Sequence, residues 1–314
     1  MKTKLTEARF RSAFGRAGQF FSMVALGAAI LTCSSASAQN LLVSGRDAHG
    51  GEIFRFTWDG KQSIFASGLY KPWDMAFDSA GNLFVVDYMI LGGDTLGNAA
   101  IFKITPNGTL TVFASRLSYA SSLAVDKTGN LFVADYDAGV IYQYKPTGLR
   151  GTFASGLYHP VGMAFDSAGN LFVADNNIGN IHQGSIYKYK PDGSRVTVAV
   201  LDTGDRPSDL ALDSMGNLYM ADLGGKIYKY LSGVLRRHGR TTFGSVPNGA
   251  QSLAFDSAGN LFVADAGAVN TTDPVIPNAI YKFTQQGVRS AFASGHALNE
   301  SFACLAFQPI PCCQ

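Results

Sequence analysis

Two acids hold the positions from which chemistry could be done. Lys71-Pro72-Trp73-Asp74-Met75-Ala76-Phe77 and Arg206-Pro207-Ser208-Asp209-Leu210-Ala211-Leu212 each place a base, a proline and then a carboxylate at the same spacing. The equivalent slot elsewhere holds Ser122, Gly162, Ser252 and Cys304, so the acids are departures from a pattern. Two carboxylates converging on one point would suit calcium or another hard divalent cation, which takes six to eight oxygens. Bonding of the same acids to nearby amides or water is the alternative, and the favoured one, because buried polar groups are normally satisfied. His159 stands in the register of Lys71 and Arg206, where it could carry a proton or bind an anion, or remain an ordinary solvated loop histidine. Lys71, Trp73, Asp74, His159, Arg206, Asp209 and Gln251 are therefore the candidate binding residues. No catalytic residue is assigned. His49, His159, His182, His238 and His296 form no short-spaced pair of the kind that marks a zinc site, and no P-loop is present.

The elements that must position these groups are repeats. Residues 255–265, Phe-Asp-Ser-Ala-Gly-Asn-Leu-Phe-Val-Ala-Asp, recur with light variation at 77–87, 125–135, 165–175 and 212–222. An apolar run, a Ser-Ala-Gly-Asn-type turn and a second run rich in β-branched and aromatic residues spell a two-strand hairpin. The turn glycines Gly81, Gly129, Gly169, Gly216 and Gly259 are 48, 40, 47 and 43 residues apart, the spacing of propeller blades. A sixth hairpin is split between the ends: Cys304-Leu305-Ala306-Phe307 matches Asp74-Met75-Ala76-Phe77, and Asn40-Leu41-Leu42-Val43 matches Asn82-Leu83-Phe84-Val85. Each unit carries four strand signals, in the third unit residues 161–165, 171–174, 186–190 and about 196–200, with Pro191-Asp192-Gly193 as the outer turn.

The fold class this predicts is all-β: a six-bladed propeller of four-stranded blades, one blade closed by strands from both chain ends. A lone blade cannot bury two apolar faces, and radial stacking solves that while leaving few free edges. Loops after the second strand vary in length, with residues 88–100, 176–185 and 266–279 long and 136–140 and 223–226 short. That face also collects the starts of the innermost strands, so it is the default site. Asp87, Asp135, Asp175, Asp222 and Asp265 recur in nearly every unit, which favours a structural role, capping backbone amides, over a cation-binding ring.

The segments Pro160-Val161-Gly162-Met163-Ala164-Phe165-Asp166, Gly169-Asn170-Leu171-Phe172-Val173-Ala174-Asp175 and Ile186-Tyr187-Lys188-Tyr189 resemble the NHL repeat, and more widely the six-bladed propellers of the gluconolactonase and regucalcin type. The resemblance covers nearly all of the chain after its leader. It implies architecture rather than activity, since such propellers include lactonases, lyases, sensors and interaction modules. In gluconolactonase-like relatives a Glu, two amides and an Asp hold a divalent metal near the inner-strand starts. The matching positions here are Trp73, Ser121, Val161, Ser208, Gln251 and Ala303, of which Gln251 alone could be a ligand. Asn248, Asn299 and Glu300 lie nearby but out of register.

Residues 1–38 read as a secretory signal, with Lys2, Lys4, Arg9, Arg11 and Arg16, then an apolar run, then Ala36-Ser37-Ala38. Residues 39–314 are then a single domain, exported to the periplasm or beyond. Removing the leader takes 25 basic and 23 acidic residues to 20 and 22, a net charge near minus two. That balance argues against nucleic acid as a partner. The local cluster Arg236, Arg237, His238 and Arg240 reads as a protected, solvated sheet edge. No later stretch is apolar enough to span a membrane. Cys304, Cys312 and Cys313 leave two readings open, a bridge from Cys304 to the tail or a buried thiol. The favoured function is a monomeric module binding a protein or small-molecule ligand through the loop-rich face. The alternative is a metal-dependent hydrolase or lyase working at the central channel through Asp74 and Asp209.

Overall fold

The second strand of each repeat explains the architecture. Leu131–Asp135, Leu171–Asp175 and Leu261–Asp265 are buried at every position. A strand with both faces covered must lie between two other layers, and continuous apolar runs such as Leu-Phe-Val-Ala are what that environment selects. In the computed structural model the covering layers are the neighbouring blades. Residues 39–47, 50–88, 99–176, 183–233, 239–265, 278–294 and 304–309 are described.

Twenty-four strands form six antiparallel sheets of four. The innermost strands are Pro72–Phe77, Ala120–Val125, Pro160–Phe165, Pro207–Leu212, Ala250–Phe255 and Leu305–Phe307, which define blades 1 to 6. Each inner strand packs on the next in cyclic order, and that of blade 6 packs on both blade 5 and blade 1, so the ring is closed. Blade 6 joins the chain ends as the repeats predict: Leu41 pairs with Phe307, Leu42 with Ala306 and Val43 with Leu305. The apolar cores lie between blades. One, for example, joins Val43, Phe54 and Leu305 of blade 6 to Phe262 and Ile280 of blade 5. Aromatic edges bridge the same seams, with Phe132 against Phe165 and Phe262 against Phe307, each at 5.0 Å between centroids.

The hairpin turns are built alike. In blade 3 the Gly169 N–H donates to the Asp166 carbonyl at 3.0 Å, while the Asp166 carboxylate accepts from the N–H groups of Ala168 and Asn170. Gly169 has φ 83°, a left-handed conformation that a residue with a Cβ adopts at a cost. The outer rim is tied more firmly than a solvated edge would be. Arg240 lies over the Tyr228 ring at 3.9 Å and bonds to Asp205 and, at 2.7 Å, to Asp202. Arg236, Arg237 and His238 lie outside the described residues. No helix among the described residues is long and apolar enough to cross a membrane.

Candidate functional site

The recurrent aspartates set the geometry of the mouth. Asp87 accepts from the N–H groups of Tyr70 and Lys71, Asp175 from those of Tyr158 and His159, and Asp265 from those of Asn248 and Gly249. Each carboxylate thus fixes the two amides leading into the inner strand of its own blade. Burial raises all three carboxyls above their ordinary range, and the donated N–H bonds pull them back. The expected capping role is what these aspartates perform, with the difference that the amides belong to the approaching chain rather than mainly to the loop that follows. The backbone then closes one step outward: the N–H of Tyr136 donates to the Tyr119 carbonyl at 2.8 Å and that of Asn176 to the His159 carbonyl at 2.9 Å.

Inside this collar the inner strands crowd together. Four of the six slot residues, Asp74, Asp209, Ser252 and Cys304, reach the next blade's inner strand. Asp74 Oδ2 accepts the N–H of Leu123 at 2.6 Å across the first seam, and Asp209 Oδ2 that of Leu253 at 2.8 Å across the fourth. Ser252 Oγ accepts the N–H of Leu305 at 3.1 Å and donates to Asp209 at 2.9 Å. Cys304 Sγ lies 3.9 Å from the Met75 carbonyl across the seam between blades 6 and 1. At Gly162 there is no room for a side chain, since a Cβ would stand 2.8 Å from Asp209 Cα. The ring of slots is therefore a set of latches between blades.

All four carboxylate oxygens are engaged. Asp74 Oδ1 accepts from the Met75 N–H at 2.8 Å and Asp209 Oδ1 from the Leu210 N–H at 2.7 Å. Protein surrounds both carboxyls, and each keeps one side open to the channel. Burial, and then the charge of Asp74, push Asp209 up to about 7. Asp74 is raised too, by burial, against bonds from Cys304 and the Leu123 and Met75 amides. Among the described residues Cys304 is a free buried thiol, while Cys312 and Cys313, the partners of the bridge reading, lie outside them. Burial and the two neighbouring carboxylates hold it well above its ordinary value, so it is not a thiolate nucleophile.

Above the latches lies a cavity of about 370 Å³ on the propeller axis, walled by the inner-strand starts of blades 1 to 5. Of the sequence candidates, Trp73, Asp74, Asp209 and Gln251 line it. Lys71, His159 and Arg206 stand outside its wall, at the mouth. Lys71 and Arg206 are exposed, with the Lys71 ammonium 5.7 Å from the Trp73 ring. His159 is not a free loop side chain: it stacks on Tyr136 at 4.2 Å and 21°, and its Nδ1 is buried without a partner. The positions that resemblance marks for metal ligands do reach the cavity, but Ser121 and Ser208 donate to the carbonyls of Pro160 and Ala250, both at 2.6 Å. With these hydroxyls committed, the ligand positions and the acid pair leave the oxygens of Asp74, Asp209 and Gln251, fewer than the six to eight calcium takes, so the described residues do not fit a calcium site. Among the described residues no cluster of three or more His, Cys, Asp or Glu could hold a metal. Ala303, Asn299, Glu300 and the central parts of the three long loops, 89–98, 177–182 and 266–277, lie outside the described residues.

Sequence reasoning picked out Trp73 and His159 but missed the tyrosines that link them, of which Tyr119 and Tyr136 line the cavity. Trp73, Tyr88, Tyr119, Tyr136 and His159 form a continuous arc across blades 1 to 3, with successive centroids 6.0, 5.1, 5.4 and 4.2 Å apart. The signal was available: Tyr88 and Tyr136 follow the terminal Asp of their repeats, and Tyr119 precedes an inner strand, positions where other units hold Asn176, Leu223 and Arg206. Asp137, at the rim, and the buried Asn176 complete the lining here.

Comparison with known proteins agrees on the fold and divides on the role. A family model described as strictosidine synthase-like, N-terminal, matches residues 194–230, a small part of the chain. No curated protein matches. Among solved structures, a chain of the nidogen/laminin complex is similar with a TM-score of 0.70 at 18% identity, covering 87% of this chain and 100% of that one. A gluconolactonase from Xanthomonas campestris gives 0.59 at 17%, covering 84% and 87%. The PQQ-bound aldose sugar dehydrogenase from Streptomyces coelicolor gives 0.61 at 15%, covering 77% and 90%. The likeness to gluconolactonase-like propellers anticipated from the repeats therefore holds at the level of fold, and these neighbours include both a binding complex and enzymes.

Proposed function

We propose that this chain is an exported binding module that takes a small organic ligand into the axial cavity at its loop-rich face. The observation carrying this reading is a preformed cavity of about 370 Å³ with an aromatic arc on one side, above acids already committed to backbone amides. Pockets of roughly 300–1,000 Å³ with apolar and aromatic walls and a few fixed polar groups are the usual form of small-molecule sites. The collar Asp residues preorganise the mouth, so little ordering entropy is lost when a ligand enters. Export rests on the leader-like residues 1–38.

The metal-dependent hydrolase draws support from the gluconolactonase among the fold neighbours, but its ligand positions here are a tryptophan, two committed serines, a valine, an alanine and one glutamine. Fluorescence decides between the two. The chain has two tryptophans, and Trp58 is exposed, so a Trp58→Phe background leaves Trp73 as a reporter inside the cavity. A diverse fragment library should yield compounds that shift Trp73 emission and raise the melting temperature, with no response to calcium or a chelator. Lactone or ester turnover abolished by a chelator would replace this reading with the hydrolase, and a library without a single Trp73-quenching compound would remove it.

A further inference from the structure

The cavity's charges are one-sided. Its charged lining residues among those described are Asp74, Asp137 and Asp209, and no lysine or arginine shares the wall with them. Sharing the wall with them are Trp73, Tyr119 and Tyr136, Trp73 next to Asp74 and Tyr136 next to Asp137 in the chain, whose rings carry electron-rich faces. Carboxylates and aromatic rings lining one cavity are complementary to a positive charge that is large, weakly hydrated and carried on carbon, because such an ion gains from ring quadrupoles without demanding a full oxygen shell. A bare metal ion lacks that match here, since the acid pair and Gln251 offer fewer oxygens than a hard cation's six to eight. A cation already neighbours one of these rings from outside: the Lys71 ammonium rests 5.7 Å from the Trp73 ring at the mouth.

Resting on the small-ligand reading above, we propose that the ligand is an organic cation, a substituted or quaternary ammonium seated between the aromatic arc and the acid pair. Its charge would sit near Asp209 and Asp74, whose surroundings otherwise contain Ser122, Ser252, the Cys304 thiol and the backbone amides of Met75, Leu123, Leu210 and Leu253, with Lys71, Arg206 and His159 outside at the mouth. A cation there favours the ionised form of both acids. Binding should therefore release protons near neutral pH, where Asp209 is partly protonated, and should weaken as pH falls.

The test uses the Trp58→Phe protein and three probes of similar shape: benzyltrimethylammonium, the uncharged pivalophenone and the anion phenylacetate. Benzyltrimethylammonium should quench Trp73 at least about tenfold more tightly than pivalophenone, the factor expected of a partly desolvated cation–π contact. Its affinity should fall several-fold between about pH 8 and about pH 5.5, as Asp209 takes up a proton. Asp137→Asn, an exposed rim change away from the latches, should weaken the cation and leave pivalophenone unchanged; Asp209→Asn should abolish the pH dependence if that variant folds. Equal or tighter binding of pivalophenone or phenylacetate overturns the cation assignment while leaving the cavity as a ligand site. Failure of benzyltrimethylammonium to bind overturns it too, and the fragment library separately decides whether the cavity binds anything.

Discussion

Replacing Gly162 with Ala adds one methyl group at the tightest point of the ring. That Cβ would lie 2.8 Å from Asp209 Cα and 3.0 Å from both Asp209 C and Leu210 N, all backbone atoms that no rotamer change can move. Carbon pairs rest at about 3.5–4.0 Å, so the strands Pro160–Phe165 and Pro207–Leu212 must part by roughly 0.7 Å or more. Overpacking of this kind costs about 1–3 kcal/mol. Against it stands the gain from restricting the unfolded chain, about 0.4–1 kcal/mol for Gly to Ala. Gly151, in the outer strand Arg150–Ser155, isolates that gain, because a Cβ there meets nothing within 4 Å. The difference between Gly162→Ala and Gly151→Ala should therefore be about 1–3 kcal/mol, a melting gap of roughly 2–12 °C for a domain of this size. Thermal melts of both variants beside the parent, repeated by urea titration, measure it. Coincident melts for the two variants would show that the inner strands have slack, and the latch ring would lose its physical basis.

The acid pair gives a pH signature. Asp209 holds its proton in the folded chain up to about 7 but loses it near 4 when unfolded, so the folded state binds more protons across that window. Stability should decline as pH rises from about 4 to about 7, and Asp209→Asn should flatten that slope in melts run across the same range; an unchanged slope would mean that Asp209 is not the titrating group. Deleting residues 304–314 removes the strand Leu305–Phe307, bares the edge of Leu41–Asp47 and takes away the Leu305 N–H that donates to Ser252 and the Cys304 thiol beside the Met75 carbonyl, so the melting temperature should drop sharply, and a truncated chain melting like the parent would refute ring closure. Gly169→Val forces a β-branched residue to φ 83° and should cost about 1 kcal/mol or more, whereas His159→Ala should cost less by the same denaturation assay, since it loses a partly exposed stack on Tyr136. The reverse order would exchange the structural and loop faces.

The repeat phrase by itself determined the architecture. Short continuous apolar runs, a glycine that must take positive φ and complementary half-repeats at the ends leave one economical solution, and local rules suffice to read it. The same comparison of repeats also located Asp74 and Asp209, because a carboxylate where other units hold serine, glycine or cysteine is visible without coordinates. What those carboxylates do was decided only by tertiary structure. Whether an oxygen faces a cation or an amide depends on how close Leu123 and Leu253 come across a blade seam, residues 49 and 44 positions away in the chain. The aromatic arc was hidden for a related reason: Trp73, Tyr88, Tyr119, Tyr136 and His159 occupy three different register positions in three blades, and only radial stacking about a common axis turns them into one wall.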